Sequence, residues 1–242
     1  ATIVNKAGSS YRSPGAIMLV NSLGQTHGLV SGGCLEANIV LHAKKVFDNQ
    51  QAHYVEYDML EEDGYAAELG VGCKGKIGVL LQFITAAHQT LLTSLYQRMH
   101  NGELSYLQQI FSAAAGEQYT LNELSLFDNQ GQLLLSTDTQ NQQVKNAELE
   151  QMIKRDKAHS NFSLAQTEIS LTKISAPTNF WIFGGGSDAV PLVLMARQMG
   201  WRVTVVDHRS SYARQSMFKD ASDIFRVHPD DFSAIAQFKQ LD

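Results

Sequence analysis

The sequence predicts an α/β protein, a mixed α/β domain at the N-terminal end followed by a C-terminal unit of parallel strands wound around a helix. Three observations predict it. Phe180-Trp181-Ile182-Phe183 reads as a buried strand that breaks into Gly184-Gly185-Gly186-Ser187-Asp188-Ala189, continues as an apolar helix and returns as a second apolar run ending in an acid. The first 85 residues alternate short strand-like runs with glycine turns around one helical stretch. With 44% hydrophobic and 18% charged residues among 242, the chain can bury a core and is not disordered.

In the first block, residues 1–85, Thr2 to Asn5 and Ala16 to Asn21 read as strands, the second followed by a turn at Gly24. His27 to Val30 is a third short strand that runs into Ser31-Gly32-Gly33-Cys34. Leu35, Ile39, Val40, Ala43 and Val46 then keep helical spacing to about Asp48, with Glu36 in the first turn, where the helix dipole favours an acid. His53 to Asp58 is a strand, and a loop ending in Gly70-Val71-Gly72-Cys73-Lys74-Gly75 leads to the apolar strand Lys76 to Ile84. The middle α/β segment, residues 86–176, holds helices over Ala87 to Met99 and Asn146 to Lys157. Its strands are Ser105 to Ser112, a hairpin turning at Asn129-Gln130-Gly131, and a single strand from Ser163 to Ser170. Ala176-Pro177-Thr178 reads as a linker into the last block, 177–242.

Charge and composition exclude several function classes. A net charge of −5 gives no electrostatic footprint for nucleic acid or an anionic membrane surface. No apolar run approaches the roughly 20 residues that span a bilayer, and no signal-peptide pattern opens the chain, which starts inside a strand without an initiator methionine. Two cysteines, Cys34 and Cys73, make no disulfide framework, and a reducing cytoplasm is the expected location.

The C-terminal motif fits G-x-G-x-x-A. Gly184 permits the tight turn, Gly186 lets backbone approach a pyrophosphate, and Ala189 lets helix pack on strand. Ala189 to Met199 is apolar enough for a covered helix, with Gly200 as its cap. Arg202 to Val206 leads to Asp207, an acid placed to accept hydrogen bonds from ribose hydroxyls. This is the opening of a Rossmann-type nucleotide-binding unit, and a partial one. Asp188 beside the phosphate position is repulsive, and Pro191 removes one N–H early in the helix.

Two further constellations could carry chemistry. The loops Gly8-Ser9-Ser10-Tyr11-Arg12 and Ser31-Gly32-Gly33-Cys34 together suit an anion pocket, with Cys34 near a helix N-terminus. In Gly72-Cys73-Lys74-Gly75-Lys76 the lysines favour a thiolate, but the spacing is not that of a P-loop. The cysteines could meet as a redox pair or as soft metal ligands, and no ligand-spaced histidines fix a metal site. Tight turns and ordinary buried or exposed thiols explain the same residues more blandly.

Taken together, Gly8-Ser9-Ser10 with Arg12, Pro14-Gly15-Ala16, Ser31-Gly32-Gly33-Cys34-Leu35-Glu36, Gly70 to Gly75, Phe183 to Gly186 and Val203 to Arg209 resemble the XdhC/CoxI family, accessory proteins of molybdenum hydroxylases such as xanthine dehydrogenase. Many members carry a histidine where this chain has Ser187. The resemblance implies a chaperone, not a turnover enzyme. It would bind molybdenum cofactor (molybdopterin), protect its sulfurated form and deliver it to the apoenzyme, with a cysteine desulfurase as sulfur source. Cofactor contacts then fall on Cys34, Cys73, Arg12, Ser31, Gly32 and Gly33, with Gly184, Gly186 and Asp207 in the nucleotide-binding or pterin-contacting half; no catalytic residue is nominated. The alternative is an NAD(P)-dependent oxidoreductase built on the Rossmann unit, with a thiol-redox protein a distant third. Exposed strand edges in an incomplete Rossmann half favour self-association as a homodimer.

Overall fold

The computed structural model of the chain describes residues 1–59, 75–113, 120–138 and 147–235. Its contacts divide the chain into two units, Ala1–Ser175 and Ala176–Asp242. No described helix is long and apolar enough to cross a membrane.

The first unit begins with β1 (Thr2–Gly8), which pairs antiparallel with β5 (Gly75–Leu81); β5 pairs in turn with β4 (His53–Asp58). As the middle strand, β5 is buried along nearly its whole length, which is why its sequence runs apolar without alternating. It stops at Leu81, short of Ile84, because the next backbone positions bond elsewhere: Phe83 N–H donates to Asn122 Oδ1 at 3.1 Å. Helix α1 (Glu36–Asn49) lays Ile39, Ala43 and Val46 on this sheet against Ile3, Ile77, Val79 and Leu81. The ribbon of β2 (Met18–Val20) and β3 (Thr26–Gly28) is shorter than its apolar runs suggest, with Ile17, Leu19 and Leu29 left exposed.

A second, antiparallel sheet follows in the order β8-β7-β6-β10-β9. Its strands are β6 (Ser105–Ala113), β7 (Leu124–Asp128), β8 (Leu133–Ser136), β9 (His159–Leu164) and β10 (Thr167–Ile174). Helix α2 (Ala86–His100) sets Leu91 and Leu95 on Leu107, Leu124 and Leu126, while α3 (Ala147–Lys154) sets Leu149 and Met152 on Tyr106, Phe127 and Leu171. The expected hairpin forms, with Asp128 Oδ1 accepting the N–H groups of Gln130 and Gln132. The single strand expected over Ser163 to Ser170 is instead a hairpin, turning at Ala165 and Gln166 between the paired Leu164 and Thr167. Ala165 holds φ at +52°, a left-handed angle that alanine does not advertise. Asn161 Nδ2 ties this sheet to the first by donating to Val4 O at 2.9 Å, above a small core of Val4, Leu80 and Phe111.

The second unit is a parallel sheet in the order β11-β12-β13, from β11 (Asn179–Phe183), β12 (Arg202–Val206) and β13 (Asp223–Phe225). Helix α4 (Ala189–Gln198) connects β11 to β12 and buries Ala189, Val193 and Ala196 against Val203 and Val205. That is the βαβ opening of a Rossmann fold. Contrary to expectation, α4 is covered on one face only: Leu192, Leu194, Met195 and Met199 are exposed, because a short three-stranded sheet meets only the Ala189-Val193-Ala196 stripe.

Candidate functional site

The site in the first unit is built from the two loops that leave β1 and β3. After β3 the chain buries Val30 and Ser31, turns through Gly32 and Gly33, and enters α1. Gly33 stands at φ +110°, an angle that disfavours any side chain, so the residue type fixes where Cys34 points. The turn is clamped from the helix side. Glu36 Oε1 accepts the N–H of Ser31 at 2.8 Å and of Val30 at 3.3 Å, and the Ser31 hydroxyl donates to Glu36 Oε2. The same hydroxyl oxygen accepts the N–H of Leu35 at 3.1 Å and of Gly33 at 3.2 Å, and receives the Cys34 thiol at 3.5 Å. Burial pushes the Glu36 carboxyl up, but the hydrogen bonds from Ser31, from its own backbone and from Val30 outweigh it and hold the group below its ordinary value. Glu36 is therefore a fixed anion that orders the loop.

The loop after β1 lies across this turn. Ser10 Oγ donates to Arg12 O at 2.7 Å, closing a tight bend that carries Tyr11 outward. The ring of Tyr11 covers Gly32, where a Cβ would stand 3.2 Å from Tyr11 Cδ2. Ser10, Tyr11, Arg12, Ser31 and Cys34 thus line one pocket, floored by Met59 and Ile77. It encloses about 210 Å³, below the range of roughly 300–1,000 Å³ usual for whole small-molecule sites, and so fits one end of a cofactor. The donor set is a guanidinium, two hydroxyls and a thiol.

Cys73, with the glycines around it, lies outside the described residues. The two described ends of that segment meet: Met59 N–H donates to Gly75 O at 2.9 Å, and Met59 is part of the pocket floor. The chain between them leaves and re-enters the fold at the pocket. Lys76, one of the lysines expected to favour a thiolate, is paired with Asp58 across the strand ladder. Among the described residues no group of three or more His, Cys, Asp or Glu side chains is placed to hold a metal ion.

Gly184, Gly186 and Asp207 belong to the second unit. Gly184 takes φ +117° and donates to Val206 O at 2.8 Å, holding the turn against the end of β12. Asp188 precedes α4 without a side-chain capping bond, and its Oδ1 lies over Gly186, so closely that a Cβ there would collide with it. Asp207 differs from the expectation of a free ribose acceptor. Its side chain is 2% exposed, and both oxygens are engaged. Oδ2 accepts from Gly185 N–H at 2.8 Å and Arg209 Nη2 at 2.9 Å; Oδ1 accepts from Arg209 N–H at 2.8 Å and Arg209 Nε at 3.1 Å. The Arg209 hydrogen bond, opposed by burial and helped by Gly185, holds this carboxyl well below the usual range. The physical reason is local: an arginine two residues after the acid reaches back side-on and fills the space a ribose would need.

Residues 1–58 match the XdhC and CoxI family, and residues 180–240 match the XdhC Rossmann domain. The chain belongs to the XdhC/CoxI family. A probable xanthine dehydrogenase subunit from Bacillus subtilis is 28% identical to this XdhC/CoxI chain over 240 residues, covering 98% of the chain and 68% of the relative. A crystal structure of a xanthine dehydrogenase from Bacillus halodurans superposes with a TM-score of 0.76 at 28% identity, covering 97% of the chain and 65% of that structure. The chain thus spans about two thirds of the length of these relatives.

Motif reading missed two working parts of this XdhC/CoxI chain. Glu36 was legible as a first-turn acid, but its grip on Ser31, five residues back, follows no standard capping spacing. Arg209 was visible in the Asp207-His208-Arg209 run, and the i, i+2 spacing on an irregular segment was the signal that acid and base could pair.

Proposed function

We propose that this chain is an accessory factor of the xanthine dehydrogenase system. It binds molybdenum cofactor as cargo, shields its sulfurated form and hands it to the apoenzyme of a molybdenum hydroxylase, in a cytoplasm where a free thiol stays reduced. The observation that supports this best is the convergence of Arg12, Ser31 and Cys34 on one pocket. Guanidinium and hydroxyl donors suit the phosphate end of a pterin cofactor, and a soft thiol suits a thiophilic metal carrying sulfur. Both relatives carry names from this same enzyme system.

In this reading Arg12 binds phosphate, and Ser31, fixed by Glu36, receives the Cys34 thiol proton and sets the direction of the sulfur. Tyr11 shields the pocket mouth over Gly32. Cys73 is carried on the segment that starts at the pocket floor and supplies a second thiol. A cysteine desulfurase supplies the sulfur, and the hydroxylase apoenzyme takes the loaded cofactor. Activation of apo-xanthine dehydrogenase in a mixture of purified components tests the reading. The wild-type chain raises the activated fraction, and Cys34→Ala and Arg12→Ala do not. Equal activation by the variants removes the pocket from the account.

A further inference from the structure

The glycine turn of the second unit is not arranged for the adenosine diol of an unphosphorylated dinucleotide. A free diol needs an accessible carboxylate at the end of the second strand, and Asp207 is buried with both oxygens bonded to Gly185 and Arg209. What stands at that position is a cation. The Arg209 side chain is 48% exposed, and its guanidinium carbon lies 3.8 Å from the centroid of the Tyr212 ring. Nε and Nη2 make the side-on contact with Asp207, which leaves the Nη1 edge of a planar, permanently charged fork. Two constraints hold it in place: the bidentate pair on one edge and the aromatic face beneath. A guanidinium fixed in this way, next to a glycine turn at the carboxyl ends of parallel strands, recognises a phosphate ester better than a hydroxyl pair.

We propose that Arg209 makes this turn a site for an ADP-containing nucleotide whose adenosine ribose carries a phosphate, with Arg209 as the specificity-determining residue. The ribose phosphate bonds to the free edge of Arg209, and the pyrophosphate lies on the backbone of Gly186 and the start of α4. Asp188 opposes this second contact. Its carboxylate covers Gly186 and must swing outward, which its exposed position allows. The inference is independent of the cofactor pocket in the first unit.

A ribose phosphate occurs at the 2′ position in NADP+ and at the 3′ position in coenzyme A, and titration calorimetry on the full chain at low salt separates the two. Either NADP+ binds roughly tenfold or more tightly than NAD+, or coenzyme A does so over dephospho-coenzyme A, a factor within reach of one charge-assisted contact. The pair that discriminates identifies the phosphate position. Arg209→Ala abolishes the discrimination. Because that change strips Asp207 of partners, Arg209→Gln, which keeps a donor without the charge, is measured beside it and loses the discrimination too. Asp188→Asn tightens phosphorylated and unphosphorylated ligands alike. Equal binding within both pairs, binding of neither pair at millimolar concentration, or discrimination that survives both Arg209 variants overturns the proposal.

Discussion

Cys34 Sγ lies 3.5 Å from Ser31 Oγ, the hydroxyl that gives its own proton to Glu36. The thiol is therefore not an isolated side chain on a glycine loop. It is the outer end of a short hydrogen-bonded line whose inner end is a carboxylate locked to the backbone at positions 30 and 31.

Removing the inner end should loosen the loop. Glu36→Ala leaves the Ser31 and Val30 N–H groups and the Ser31 hydroxyl without their acceptor, and the loss should be about 1.5–3 kcal/mol, the usual value of hydrogen bonds to a charged group. Urea denaturation with tryptophan-independent detection, such as far-ultraviolet dichroism, reads it; an unchanged midpoint would show that the clamp contributes nothing.

Glu36 also sets an acid limit. Its carboxyl is held below its ordinary value of 4.5 in the folded protein, so the unfolded chain takes up the proton first as pH falls. The stability it contributes is complete above about pH 4.5 and is lost as pH drops through the folded value. Glu36→Gln should be less stable than wild type at pH 7, and the difference should shrink steadily below pH 4.5.

The histidines act at higher pH. His42, stacked on His53 with ring centroids 5.2 Å apart, is held below its ordinary 6.5 by burial and by the neighbouring His53 and Lys45. Burial lowers His88 and His159 as well. Each is neutral in the fold and protonates first in the unfolded chain, so stability should decline as pH falls from 6.5 toward the folded values. His88 keeps bonds to Thr85 Oγ1 at 2.8 Å and Asn122 O at 2.7 Å. Replacing it with Gln should reduce the slope of the denaturation midpoint between pH 7 and 5.5, and an identical slope would contradict the assignment.

Gly33 has open space where a Cβ would go, yet stands at φ +110°. Gly33→Ala should therefore cost about 1–3 kcal/mol from backbone strain alone, with no clash to relieve. Labelling of Cys34 by a small thiol reagent should change rate in the same variant, because the turn that aims the sulfur has moved.

How much of this was legible in the sequence depends on the kind of interaction. Periodicity found α1, since Ile39, Ala43 and Val46 keep one face, and glycine spacing found the turn at Gly184. The hairpin at Ala165 was hidden, because its left-handed residue is an alanine and its strands share one continuous polar pattern. Asp207 was found by position but misread in role. Spacing shows where an acid falls, whereas its partner depends on a side chain reaching back from Arg209. Likewise Arg12 and Cys34 read as separate loops, and only the packing of Tyr11 over Gly32 puts them on one pocket.

The central claim is that the Cys34 pocket holds one end of molybdenum cofactor. The most direct measurement is the pterin and molybdenum content of the chain purified under anaerobic conditions from a molybdopterin-producing host, wild type beside Cys34→Ala. The account predicts pterin retained by the wild type and reduced about tenfold or more in the variant, a loss of the size that one or two strong contacts give. Equal pterin in both, or none in the wild type, would contradict it.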